Sequence, residues 1–204
     1  MPQQFLALGD SYTVGEGVLL EEGWPAQLVQ LLAEADIEAA PFKIIAKTGW
    51  TSDELLDALD TEQLKPPYDL VTLLVGVNNQ YRQLSIDDYQ RSIDALLRSA
   101  IDFAGGHRKR VVVLSIPDWG VTPFAGSSEN TRSVSEIADD IDAFNRTKCR
   151  LTYQAGCHYV DVTSITREHK NDPHAWAADG LHPATLMYTQ WARKLLPVVQ
   201  RIVQ

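Results

Sequence analysis

The chain alternates short apolar runs with longer stretches of helical period, and this alternation restricts its fold more than any other feature. Phe5 to Leu8, Phe42 to Ala46, Leu70 to Val75, Val111 to Ile116 and Tyr159 to Val162 read as strands. Pro25 to Ala35, Asp53 to Leu64, Ile86 to Phe103, Val134 to Ala155 and Ala184 to Val203 carry apolar residues at helical spacing. A run such as Val111-Val112-Val113-Leu114 has no polar alternation, which suits a parallel strand covered on both faces by crossover helices. The pattern predicts an α/β fold: a three-layer α/β/α sandwich, in one domain spanning residues 1–204.

Local chemistry supports the boundaries. Ser52 before Asp53 and Glu54, and Ser85 before Asp87 and Asp88, supply caps and first-turn acids. Lys65-Pro66-Pro67 stops the second helix and Gly105-Gly106 ends the third. Pro117 to Arg132 is the longest irregular stretch, rich in Gly, Pro, Ser and Thr, and is expected to form a substrate-side flap.

Charge and composition narrow the partners. A formal net charge of -9 repels phosphate backbones, and the longest basic cluster is the short His107-Arg108-Lys109-Arg110, so no nucleic acid is expected. No apolar run approaches the roughly 18 to 20 residues of a membrane span, so no stable membrane insertion is expected either. No leader precedes the first strand, and a cytoplasmic protein is expected. Cys149 and Cys157 form no Cys-x-x-Cys pair and read as structural thiols. His169 and His174 flank Asp172, but without the one-turn His-x-x-x-His spacing, so neither a metal nor any other cofactor is expected.

Ligands of such sheets sit beyond the carboxyl ends of the strands. There the sequence places Gly9-Asp10-Ser11, Thr48-Gly49-Trp50, Gly76-Val77-Asn78-Asn79 and Pro117-Asp118-Trp119. Near the other terminus, Asp179-Gly180-Leu181-His182 sets a carboxylate three residues before a histidine. A serine hydroxyl is a poor nucleophile at neutral pH and needs a base, for which His182 is the candidate, with Asp179 fixing its tautomer. The backbone N–H groups of Ser11 and Gly49 and the Asn78 amide are candidate donors to a developing oxyanion. Singly each motif is an ordinary turn signal. Jointly they bring nucleophile, base, acid and oxyanion donors to one edge of the sheet.

These residues resemble the SGNH hydrolases, also called GDSL-type esterases and lipases. Ser11 matches the family's nucleophile block, Gly49 its glycine, Asn78 its asparagine, and Asp179 with His182 its last block, in order across residues 9 to 183. The resemblance implies a flavodoxin-like five-stranded parallel sheet and metal-independent ester hydrolysis. Two positions depart from the pattern: Tyr12 follows the nucleophile where leucine is usual, and Asn79 stands where the family usually has aspartate, a change expected to bear on substrate preference. Asp10, Asn79, Trp50 and Trp119 are placed at the substrate cleft, where the two indoles suit a sugar ring or an acyl chain equally. The expected partner is a small-molecule ester, with short-chain or acetylated-carbohydrate esters foremost and lysophospholipids or thioesters as alternatives. A non-catalytic flavodoxin-like ligand-binding protein is the reading from another class. Asp10 counts against it, because a carboxylate beside the first loop repels phosphate.

Overall fold

Every residue of β1 (Phe5–Gly9), β3 (Leu70–Leu74) and β4 (Val111–Leu114) is buried, and that two-sided cover is why these strands are apolar throughout but for Thr72 of β3. The computed structural model, which describes residues 2–39 and 42–203, adds β2 (Lys43–Ala46) and β5 (His158–Val160) at the sheet edges. The strands pair in parallel in the order β2-β1-β3-β4-β5. The chain therefore leaves β1 in one direction to form β2 and returns on its other side to form β3. This reversal opens a crevice at the carboxyl ends of β1 and β3.

Among the described residues, eight α-helices accompany the sheet: α1 (Ser11–Val14), α2 (Trp24–Glu34), α3 (Ser52–Thr61), α4 (Val77–Tyr81), α5 (Ile86–Phe103), α6 (Val134–Gln154), α7 (Thr163–Glu168) and α8 (Thr185–Val203). α2 packs on α8 to form one layer, and α3, α5 and α6 lie side by side in the other. α5 shows the reason: Tyr89, Ser92, Ile93, Leu96, Leu97 and Ala100 recur at three- and four-residue steps and are its buried face. None of the described helices is long and apolar enough to cross a membrane.

The long helices lie where their periodicity places them, with small shifts at the ends. α3 begins one residue earlier than expected, because Thr51 rather than Ser52 is its cap; the Thr51 hydroxyl accepts from Glu54 N–H while Glu54 accepts from Thr51 N–H. Ser85 caps α5 as expected. The stretch after β4 is less irregular than its composition suggests. It holds two 3-10 turns, Trp119–Val121 and Pro123–Gly126, pinned by the buried Asp118, which takes the Arg167 Nε–H at 2.7 Å and the Gly120 N–H at 2.9 Å.

Candidate active site

β1 delivers Ser11 through a turn that tolerates no side chain. A Cβ on Gly9 would collide with the Leu74 carbonyl and the Thr13 side chain, so glycine is what lets the end of β1 lie close to β3. Asp10 then caps α1, its Oδ1 accepting from Tyr12 N–H at 3.1 Å. Ser11 starts that helix and is 4% exposed.

Across the crevice, the loop before α8 turns at Gly180, in the left-handed region at φ 67°. Asp179 Oδ1 accepts the Leu181 and His182 N–H groups at 2.8 and 3.0 Å. Its Oδ2 lies 2.6 Å from His182 Nδ1, and His182 Nε2 lies 3.0 Å from Ser11 Oγ. Both contacts are satisfied together when Nδ1–H donates to Asp179 and the serine O–H donates to Nε2. Burial pushes the Asp179 carboxyl up, but the hydrogen bonds from the His182 imidazole and the two backbone amides outweigh it and hold it below its ordinary value. The Tyr12 ring packs against the imidazole, with ring centroids 5.6 Å apart and planes tilted by 59°.

The second loop closes as a four-residue turn in which Trp50 N–H donates to Lys47 O at 3.2 Å and Gly49 occupies the third position at φ 87°. Asn78 lies in α4, where its amide donates to Trp50 O at 2.9 Å. One amide hydrogen of Asn78 thus fixes the side chain and the other is left to the crevice. Among the described residues neither Ser11 N–H nor Gly49 N–H has an acceptor. Ser11, Gly49, Asn78 and His182 all line one cavity of about 210 Å³, closed by Tyr12, Thr48, Val77, Tyr81, Trp119, Phe124 and Leu181.

Of the four residues expected at the cleft, only Trp119 lines it. Trp50 contributes its carbonyl to Asn78 instead. Asn79 is buried on the far side of α4, accepting from Ser52 N–H and donating to Ser52 Oγ, both at 2.9 Å. Its exchange for aspartate therefore bears on how α3 and α4 are joined, not on the cavity. Asp10 lies within the turn that carries Ser11, 1% exposed, and its Oδ2 has no partner among the described residues. Burial pushes its carboxyl up to about 7, opposed by the Tyr12 N–H and by the charge of Lys148.

Lys148 was not singled out by its sequence. It is fully buried in α6, donates to Leu114 O at 2.9 Å, and burial pushes its amine down to about 7 against the pull of Asp10. Its signal is periodicity: Ile141, Phe144, Lys148 and Leu151 fall on one stripe of α6. Asn145 on the same face is a second omission; it accepts from Ile116 N–H at 2.7 Å and donates to Ile116 O at 3.0 Å, fixing the end of β4 before the flap. A wider surface groove of about 890 Å³ along α6 and α7, lined by residues such as Arg146, Arg150 and Tyr153, contains none of the groups gathered around Ser11.

The chain belongs to the GDSL-like lipase/acylhydrolase family, whose model matches residues 7–190. No curated protein matches it. Among solved structures it is similar to TesA, at 21% identity over 98% of this chain and 99% of that one, with a TM-score of 0.75. It is also similar to a lipase/acylhydrolase from Enterococcus faecalis, at 16% identity over 99% and 97% of the two chains and a TM-score of 0.75. The acetylxylan esterase Axe2 from Geobacillus stearothermophilus superposes at a TM-score of 0.72, with 18% identity over 97% and 94%. At these identities the likeness is one of fold, and the fold is that of GDSL esterases and acylhydrolases.

Proposed function

We propose that the protein is a serine esterase that hydrolyses small acyl esters through a covalent acyl-Ser11 intermediate. Ser11 Oγ attacks the ester carbonyl carbon and passes its proton to His182 Nε2, while Asp179 stabilises the imidazolium through Nδ1–H. The carbonyl oxygen, now an alkoxide, takes donors from Ser11 N–H, Gly49 N–H and the free hydrogen of the Asn78 amide. Collapse breaks the bond to the leaving oxygen, which receives the proton from His182. Water repeats the sequence on the acyl-serine and releases the acid.

What supports this assignment above all is the unbroken contact chain from Ser11 Oγ to His182 Nε2, at 3.0 Å, and from His182 Nδ1 to Asp179 Oδ2, at 2.6 Å. The test is covalent labelling with a fluorophosphonate. The wild-type protein should be labelled at Ser11 and hydrolyse p-nitrophenyl acetate, and Ser11→Ala should lose both; labelling or turnover that survives in the variant would reject Ser11 as nucleophile. Short-chain acyl esters and acetylated carbohydrates are the substrate classes proposed, the latter in keeping with the described activity of Axe2.

A further inference from the structure

The cavity beside Ser11 is walled by hydrocarbon. Val77, Tyr81, Trp119, Phe124 and Leu181 line it beyond the reacting groups. Trp119 is 1% exposed and gives its indole N–H to Gln80 Oε1 at 2.7 Å, so its ring meets the cavity through carbon alone. Tyr81 stands edge-on to it with centroids 5.3 Å apart, and Phe124 follows at 6.2 Å, which makes the three rings one continuous wall. The remaining polar side chains of the lining, apart from the reacting groups, are those of Tyr12, Tyr81 and Thr48, and the Thr48 hydroxyl donates to Glu16. A sugar ring placed here would leave most of its hydroxyls without partners, at a cost in desolvation that an alkyl chain does not incur.

The wall is also held in place. Asp118, paired with Arg167, fixes the turn that carries Trp119. The Phe124 N–H donates to Gly180 O at 2.9 Å, so the flap is tied to the loop that bears Asp179 and His182. A cavity of about 210 Å³ admits about seven groups of water size at about 30 Å³ each. In the chemistry proposed above the alcohol departs at once, whereas the acyl group stays on Ser11 until water arrives. A half-open but prearranged pocket suits the part that stays.

We propose that this cavity is the acyl site, and that the protein selects straight-chain acyl groups of about four to six carbons, a length set by the room available, over acetyl, with Tyr81, Trp119 and Phe124 setting the limit. The inference rests on the esterase assignment above and narrows its substrate class to fatty acyl rather than acetylated-sugar esters.

The test is a series of p-nitrophenyl esters from acetate to decanoate, with active sites counted by fluorophosphonate titration. kcat/KM should rise about fourfold per methylene from acetate to the optimum, as each buried methylene adds its transfer energy, and fall by decanoate. Phe124→Ala should move the optimum to longer chains and raise the decanoate-to-butanoate ratio about tenfold. Tyr81→Ala, at a half-exposed position where folding is not at stake, should move it in the same direction. A profile highest at acetate, a flat profile, or an optimum unmoved in both variants would overturn the inference while Ser11 remains labelled. Loss of labelling in the wild-type protein would instead remove the esterase assignment, and the inference with it.

Discussion

Arg82 donates to the carbonyl oxygen of Gly49 at 2.7 Å, gripping from outside the turn whose glycine lines the cavity with Ser11. Its other nitrogen reaches Glu54 Oε2 at 3.4 Å, and Glu54 is the residue that closes the capping box of α3. Arg82 thus links the Gly49 turn to a helix terminus. Gly49 itself has ample space around its Cα but sits at φ 87°, so the orientation of its peptide depends on such external contacts.

This makes Arg82 a positioning residue. Its side chain is 46% exposed, so its ion pair with Glu54 adds little stability. Arg82→Ala should lower kcat by about three- to tenfold, less than the loss of an oxyanion donor itself, and leave KM within about twofold. Arg82→Lys should recover part of the loss, because an ammonium can still reach the Gly49 carbonyl but cannot hold Glu54 at the same time. Steady-state kinetics on p-nitrophenyl butanoate with unfolding curves for each variant decide the matter; a fall in Tm with unchanged kcat would make Arg82 merely structural.

Asn78 and Asn79 should separate cleanly. Asn78→Ala removes a proposed oxyanion donor and should reduce kcat by about 10² to 10³ with little change in Tm, since among the described residues its side chain makes one hydrogen bond, to the Trp50 carbonyl. Asn79→Ala leaves the buried Ser52 N–H without its acceptor, while the Ser52 hydroxyl keeps Ser92, and should cost about 1 to 3 kcal/mol of stability. The check is kcat and the urea midpoint measured on both variants; equal kinetic losses would mean that the two amides act as one unit.

How far these roles can be read from sequence depends on the range of the interaction behind them. The strands and α2, α3, α5, α6 and α8 announce themselves because burial imposes a period on their residues, as the stripe from Tyr89 to Ala100 does. α1, α4 and α7 have too few turns to establish one, yet they carry Ser11 and Asn78. The loop residues around Ser11 were legible as residue types because acyl-transfer chemistry admits few of them. What was not legible is direction: Asn79 and Asp10 sit beside cavity residues in sequence but line no part of the cavity, and Trp50 gives its carbonyl to Asn78. Lys148 becomes meaningful only when packing of α6 brings it close to the turn that carries Ser11.

Asp179 offers a test by near-isosteric exchange. Asp179→Asn keeps an acceptor for the Leu181 and His182 amides but can present N–H to Nδ1, which favours the tautomer in which Nε2 carries the proton and cannot receive one from Ser11. A loss in kcat of about 10⁴ is expected. The folded-state value of Asp179 is depressed, so its contribution to stability is present above the ordinary carboxylate value and is lost as pH falls through the lower value in the fold. The variant should show a smaller fall of Tm below about pH 4, near the ordinary aspartate value. Thermal melts from pH 2 to 7 measure this; parallel curves for the two proteins would remove Asp179 as the source.

Asp10 and Lys148 are two fully buried ionisable groups whose charges interact, close to the turn that carries Ser11. Asp10, raised to about 7, favours the folded state while protonated; that contribution is present below the ordinary carboxylate value and lost as pH rises to about 7. The charge of Lys148 limits the loss by favouring the ionised carboxylate. Lys148→Met keeps the aliphatic stem and removes that charge, so ionisation of Asp10 becomes costlier and the loss extends to higher pH. Burial also holds the Lys148 amine down to about 7, so wild type carries a costly buried ammonium at lower pH; relative to it the variant should be more stable near pH 5 and should lose that advantage as pH rises towards 8, where Asp10 ionises without a cationic neighbour. The double variant Asp10→Asn/Lys148→Met should lose the pH dependence, because no buried charge remains to titrate. Unfolding in urea from pH 5 to 9 reads all three proteins, and a difference between Lys148→Met and wild type that stays constant with pH would show that its amine serves only the Leu114 carbonyl.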